Sequence, residues 1–184
     1  MKVSRCHLEG ILLLEPQAYG DARGQFLESY QHRRYVELGI TDDFVQDNLS
    51  HSGAGVLRGL HFTRKTRQAQ LLTVISGEIF DVVLDIRLES PTYLQWNGLR
   101  MGGGGIRQVY MPHGFAHGFV VLSDKADLHY KVTAAYDPED NFGLRWNDPR
   151  LAIEWPIKDP VVSERDAAHP LLETTFGLGG PLDY

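Results

Sequence analysis

Two residues carry side chains suited to moving a proton to or from carbon. His61 is one: histidine's ordinary pKa of about 6.5 lets a neutral imidazole act as a base near pH 7. It lies in Gly55-Val-Leu-Arg-Gly-Leu-His-Phe62, three residues after Arg58. A strand alternates its side chains, so that spacing puts Arg58 and His61 on opposite faces. Gly59 between them is a place for a bulge that re-aims one of them, as happens beside active sites. The plainer alternative is a hydrogen-bonded core histidine beside a surface arginine. Tyr130 is the other residue. In Leu128-His-Tyr-Lys-Val132, the tyrosine shares a strand face with Leu128 and Val132. A phenol on an apolar face needs a partner for its hydroxyl. It either packs in the core or faces a ligand cavity, where it exchanges a proton.

A second histidine sits in Met111-Pro-His-Gly-Phe-Ala-His117-Gly-Phe, of the form Pro-x-Gly-x-x-His. This resembles the second motif of the cupin superfamily, small barrels of the jelly-roll type. Metal-binding cupins add His-x-His and a downstream Glu in their first motif. Here Thr63 follows His61 at the second position, Arg67 and Gln68 occupy the downstream stretch, and Val121 stands where an asparagine often closes the second motif. A catalytic metal needs about three converging protein ligands, and only His61 and His117 can be placed. The expectation is a cupin barrel with no catalytic metal and no other cofactor. Gly102–Gly105 lacks the Lys-Ser/Thr of a phosphate-binding loop and reads as a hairpin or linker. Asp42-Asp43 and Glu139-Asp140 read as solvated loops.

The elements that must position these side chains are mostly strands. Phe80, Val82, Leu84 and Ile86 alternate with Ile79, Asp81, Val83 and Asp85 along Glu78–Arg87, the clearest strand of the chain. Gln70–Ile75 precedes it across Ser76-Gly77, which reads as a hairpin. Further strands are expected at Gly10–Leu14, Gln25–Tyr30, Gly55–Phe62, Leu94–Leu99, Ile106–Met111, Gly118–Leu122 and Asp127–Ala134. Many short strands at near-regular spacing predict an all-β sandwich or barrel. Short helices are expected at His32–Leu38, stopped by Gly39, and after Ser163, whose hydroxyl and acidic followers suit a helix start. The glycine-rich stretch 174–184 reads as a flexible tail, or an arm that docks on a partner subunit.

The chain has 184 residues, which suits one domain with its own core. Apolar residues make up 42% and charged residues 23%, an ordinary balance for a globular protein. With 18 Lys and Arg against 24 Asp and Glu, the net charge of −6 argues against a nucleic-acid binder. Cys6 is the one cysteine, which fits a reducing compartment. The apolar run Ile11–Leu14 is too short for a leader peptide or a membrane span. The expectation is a soluble cytoplasmic protein.

Taken together, these segments resemble the dTDP-4-dehydrorhamnose 3,5-epimerase family. The resemblance spans residues 21–172 and rests on the order and spacing of several motifs. Asp21-Ala-Arg-Gly-Gln-Phe26, Phe44-Val-Gln-Asp-Asn-Leu-Ser-His-Ser52 and Gly55-Val-Leu-Arg-Gly-Leu-His61 come first. Gly77-Glu-Ile-Phe-Asp-Val-Val-Leu-Asp-Ile-Arg87, Ser90-Pro-Thr, Pro112–Phe119 and Tyr130-Lys follow. Arg145-Trp-Asn-Asp-Pro149, Trp155-Pro and Ser163-Glu-Arg-Asp166 complete the set.

The resemblance implies an antiparallel cupin-like barrel, a homodimer with N-terminal strands (residues 1–30) exchanged, and a nucleotide-diphosphate sugar as substrate. It makes His61 the general base, Asp166 the carboxylate holding its ring, and Tyr130 the general acid on the other face of the sugar. It places Arg23, Phe26, Glu28, Gln46, Asn48, Arg58 and His117 around the nucleotide sugar, with Arg23 from the partner subunit. Tyr136 would stack on the pyrimidine, and Arg165 holds a position that is often basic. Two positions depart from the family pattern. Gln70 stands where a lysine usually faces the sugar ketone, and Asn141 stands at an acidic position.

The chemistry implied is inversion beside a ketone. A 4-keto sugar has acidified protons at C3 and C5, so it needs a base on one face, an acid on the other and a donor to the enolate oxygen. Inversion of a single centre, or action on another nucleotide sugar, is the alternative that Gln70 and Asn141 keep open. A metal-dependent cupin oxygenase or isomerase is an alternative of another class.

Overall fold

The computed structural model describes residues 1–176. In chain order, β1 (Lys2–Arg5), β2 (Leu12–Glu15), β3 (Ala18–Asp21) and β4 (Gly24–Leu27) lead to α1 (His32–Glu37). Then come β5 (Gln46–Gly53), β6 (Val56–Phe62), β7 (Gln70–Ser76), β8 (Glu78–Asp85) and β9 (Trp96–Gly102). β10 (Gln108–Met111), β11 (Phe115–Val121) and β12 (Lys125–Val132) follow. Short pieces close the chain: β13 (Phe142–Gly143), β14 (Val161–Val162), α2 (Glu164–Ala167) and α3 (Leu172–Phe176). Thr174, Thr175 and Phe176, expected in the tail, are thus helical, while the rest of that tail, 177–184, lies outside the described residues. No helix among the described residues is long and apolar enough to cross a membrane.

Two six-stranded sheets carry the fold. One runs β1-β2-β10-β7-β12-β5; the other runs β13-β6-β11-β8-β9, with β14 beside β6. Every pairing is antiparallel except β14 on β6. This is the cupin-like barrel expected. Period-2 alternation sends Leu72, Val74 and Leu128 from the first sheet, and Ile79, Val83, Phe119 and Val121 from the second, into one shared core. The outward faces are also covered. Leu60, Phe62, Val82, Leu84 and Ile86 pack under Leu144, Leu151 and Leu172. Leu12, Leu14, Leu71 and Tyr110 pack against Tyr35 of α1.

The structure corrects the expected β7–β8 hairpin, because the two strands belong to different sheets. Their inward apolar residues meet across the core rather than side by side. Gly77 makes the crossing at φ +80, where a Cβ would lie 2.1 Å from the Lys125 carbonyl oxygen, so only glycine passes. Each acidic pair is solvated at one residue only: Asp43 and Glu139 are exposed, while Asp42 and Asp140 are not. Asp140 is fully buried and accepts hydrogen bonds from the backbone N–H groups of Arg64, Lys65 and Thr66 and from the Thr66 hydroxyl. Asp42 accepts from the Tyr110 hydroxyl.

Candidate active site

The arrangement starts with a bulge. His61 pairs with His117 and Arg58 with Phe119, so Gly59 and Leu60 of β6 oppose the single Gly118 of β11. Gly59 has φ +132, and a Cβ there would lie 2.5 Å from Gly118 Cα, which only glycine avoids. The extra residue shifts the phase of the strand. Arg58 and His61 therefore both line a cavity of about 510 Å³ between the sheets.

His61 is held from behind. Its Nε2–H donates to Asp166 Oδ1 at 2.8 Å, which leaves Nδ1 as the ring nitrogen with a free lone pair. Asp166 sits in the first turn of α2, where its own N–H donates to the Ser163 hydroxyl that caps the helix. Gly59 N–H donates to the other carboxylate oxygen at 3.1 Å. Burial pushes the Asp166 carboxyl up. The His61 hydrogen bond and charge, Gly59 N–H and His169 outweigh it, so the group stays below its ordinary value, ionised at neutral pH. A second pair lies beside the first: His117 Nε2–H donates to the fully buried Asp81 at 2.7 Å.

The facing sheet supplies Tyr130 from β12, Gln46 and Asn48 from β5, and Gln70 from β7. Burial pushes the Tyr130 phenol above its ordinary pKa, and Arg58 opposes this only in part. The phenol is therefore a proton donor at neutral pH. Arg58 Nε donates to the Ser52 hydroxyl at 3.1 Å. Gln46 donates to Asn48 at 2.8 Å and accepts from Tyr136 N–H at 3.0 Å, which holds the exposed Tyr136 ring at the cavity mouth. Asn141 completes the rim.

A family model described as dTDP-4-dehydrorhamnose 3,5-epimerase matches residues 5–174. The chain belongs to the dTDP-4-dehydrorhamnose 3,5-epimerase family. It is 47% identical to the dTDP-4-dehydrorhamnose 3,5-epimerase of Pseudomonas aeruginosa over 168 residues, 90% of this chain and 93% of the relative. It superposes on the dTDP-6-deoxy-D-glucose-3,5-epimerase of Legionella pneumophila, solved with dTDP-4-keto-L-rhamnose, at TM-score 0.90 and 50% identity. That match covers 94% of this chain and 93% of the other. A 4-keto-6-deoxy sugar epimerase from the novobiocin cluster of Streptomyces spheroides matches at TM-score 0.91 and 39% identity, over 98% and 93% of the two chains.

As a member of this epimerase family, the chain gathers Gln46, Asn48, Arg58, His61, Gln70, His117, Tyr130, Tyr136 and Asn141 around one cavity. Asp166 reaches it through His61. Four expected residues are not in its lining. Arg23 and Phe26 lie on the exposed β3–β4 ribbon, which pairs with neither large sheet, and Arg23 is bonded to Asp21. Glu28, just past β4, pairs with Arg34 of α1 at 3.0 Å. Arg165 donates to the Asn141 carbonyl at 2.9 Å and lines a neighbouring cavity instead.

Sequence reading missed Asp81 and His169. Asp81 had a signal, since it falls in phase with the inward-facing Ile79 and Val83, where an unpaired charge would be costly. His169 had only its spacing of three from Asp166, because its other neighbours, His61 and Gly143, come from β6 and β13. His61, Asp166 and His169 are also the group among the described residues whose donor atoms converge, within 4.8 Å of one another.

Proposed function

We propose that the protein inverts the carbon centres beside the ketone of a dTDP-linked 4-keto-6-deoxy sugar, acting at C3 and C5 in deoxysugar biosynthesis. The observation that carries this reading is that His61, held by Asp166, and Tyr130 line one cavity from opposite sheets. A sugar bound between the sheets then has base and acid on opposite faces. His61 Nδ1 takes the proton from carbon, and the electron pair of the C–H bond passes to the C4 oxygen as an enolate. Asp166 stabilises the imidazolium. Tyr130 returns a proton to the other face, and exchange with water restores both groups. The scheme uses proton transfer alone and calls on no metal or redox cofactor. Gln70 donates a neutral hydrogen bond toward the enolate oxygen. Among the described residues, Arg58 is the one Lys or Arg in the lining, and it suits the diphosphate. Tyr136 stacks on the pyrimidine.

The same reading makes the protein a homodimer in the cytoplasm. The β3–β4 ribbon, with Tyr19 66% and Phe26 74% exposed, is offered to a partner. Arg23, Phe26 and Glu28 then complete the partner's nucleotide site.

A second reading, inversion at C3 or C5 alone, draws on the uncharged Gln70 and Asn141 in the lining. A relative in Streptomyces niveus named dTDP-4-dehydrorhamnose 3-epimerase is 40% identical. Proton NMR of the product formed from dTDP-4-keto-6-deoxyglucose in deuterated water separates the two. Deuterium and inverted configuration at both centres support the first reading, one centre supports the second, and no exchange refutes both.

A further inference from the structure

Behind the catalytic pair lies a third ring that the scheme above does not use. His169 is buried, 8% exposed, with its Nε2 3.4 Å from Asp166 Oδ1, the oxygen that already accepts from His61. Its ring meets the His61 ring edge-on, with centroids 5.6 Å apart and planes at 78°. Its Nε2 is buried and makes no hydrogen bond in this arrangement. The chain builds the space for it. Gly143 of β13 is the register partner of His61, and a Cβ on Gly143 would lie 2.3–2.5 Å from three atoms of the His169 imidazole. Two residues on, Arg145 fixes the segment: its Nε donates to the His169 carbonyl and its N–H to the Pro170 carbonyl, both at 2.9 Å.

The charged and titratable groups around this ring are His61 from β6, Asp166 and Arg165 from α2, Arg145 at its backbone, and Arg64 across the neighbouring cavity of about 440 Å³. Burial first, then the charge of His61, lowers the His169 pKa. Asp166 opposes this and Arg165 adds to it, so the imidazole is neutral near pH 7. The surrounding arginines disfavour a divalent cation at the converging donors, and the Asp166 carboxylate is already taken up by His61 and Gly59. A neutral donor is the role that remains.

We infer that His169 is a positioning residue for the His61–Asp166 base: from 3.4 Å, a small turn of its ring lets its N–H share Asp166 Oδ1 with His61 and so keeps His61 free to accept a proton. A carboxylate with a second donor holds the His61 proton less tightly. Without that donor, Asp166 would stabilise resting imidazolium, and the base would be blocked at mildly acid pH. The inference rests on His61 being the base.

The test is the pH profile of kcat/KM for solvent deuterium exchange into the 4-keto sugar, compared among wild type, His169→Leu and His169→Gln. His169→Leu should move the acid limb upward by roughly one pH unit, slowing exchange up to ~10-fold at the acid end and little above pH 8. KM should hold, because the nucleotide sits elsewhere. His169→Gln keeps an N–H donor and should keep the wild-type limb. An unmoved limb in folded His169→Leu overturns the inference, and so does an equal shift in both variants, which would mean packing alone. If His169→Leu does not fold, Gly143→Ala displaces the ring while keeping the imidazole. It should shift the limb the same way, and no shift there overturns the inference. His61→Asn is run alongside. Exchange that survives in His61→Asn removes the base assignment itself, whereas its loss there with an unmoved limb in His169→Leu removes only the role of His169.

Discussion

His61 and Tyr130 line the same cavity from different sheets, His61 from β6 and Tyr130 from β12. If they are the proposed base and acid, side chains held this way cannot both lie on one face of a flat enolate bound between them. Retention needs only one of them, and inversion needs both, so the two side chains separate experimentally.

Replacing His61, the proposed base, should stop the first step. His61→Asn is expected to lower deuterium incorporation by about 10²–10⁴-fold, the usual worth of a general base. Asp166→Asn should slow it strongly as well, because a neutral amide cannot stabilise the imidazolium. NMR of sugar incubated in deuterated water measures both. Wild-type exchange in His61→Asn would remove it from the mechanism, and an unaffected Asp166→Asn would mean that His61 works without its carboxylate.

Replacing the acid should leave exchange and remove inversion. In Tyr130→Phe, His61 still abstracts a proton, and the enolate is reprotonated mainly from the side it was lost. The product should carry deuterium with little change of configuration at the first centre. Removing one hydroxyl changes the volume little, so thermal melting should show only a small loss of stability. Full inversion at the wild-type rate in a folded Tyr130→Phe protein would make Tyr130 a core residue and His117 the next candidate acid.

Gln70 offers a gain-of-function test. Gln70→Lys puts a cation where the family resemblance places the enolate oxygen, and a charged donor stabilises developing negative charge more than an amide does. The expected outcome is a rise in kcat of about ten-fold with KM little changed, read from steady-state rates. If inversion at one centre is the native outcome, the variant's product spectrum will also show whether the second centre begins to exchange. An unchanged or lower rate would place the ketone away from residue 70.

Asp140 carries a stability prediction with a defined pH sign. Burial raises its pKa, but the Lys65 N–H, the Thr66 hydroxyl and N–H, and the Arg64 N–H outweigh it, leaving a folded-state pKa of about 2 against an ordinary 3.8. A carboxylate depressed on folding stabilises the fold fully above its ordinary value and loses that contribution as pH falls through the folded value. The contribution is about 2 kcal/mol at neutral pH, lost between about pH 4 and pH 2. Asp140→Asn should therefore melt below wild type at pH 7, and the gap should narrow as both are melted toward pH 2. A constant gap would mean that the charge contributes nothing and the packing of the loop decides.

Local pattern was enough to read most strands, the two helices around His32–Glu37 and Glu164–Ala167, and the bulge at Gly59, because each leaves its mark within a few residues: alternation, a cap, a glycine. The family motifs named His61, Tyr130 and Asp166 together. Other features had no local mark. β5 was unread as a strand because its alternate positions are polar and it pairs only along one edge, so no apolar period reports it. The Ser76-Gly77 turn looked like a hairpin because two alternating strands flank it, and only the closure of two sheets around one core shows that it crosses between them. Asp140 read as solvated because its partners, Arg64, Lys65 and Thr66, lie more than seventy residues earlier in the chain. His169 reads as an ordinary residue before a proline. Its place against Asp166 and His61 exists only because Gly143, brought beside His61 by strand pairing, leaves out the one carbon that would fill the space. Residue types and their local rhythm settle what chemistry is available and which segments are extended. Contacts between residues far apart in sequence decide which of those groups share a cavity, because burial and hydrogen-bond partners are supplied by the other sheet and not by neighbours along the chain.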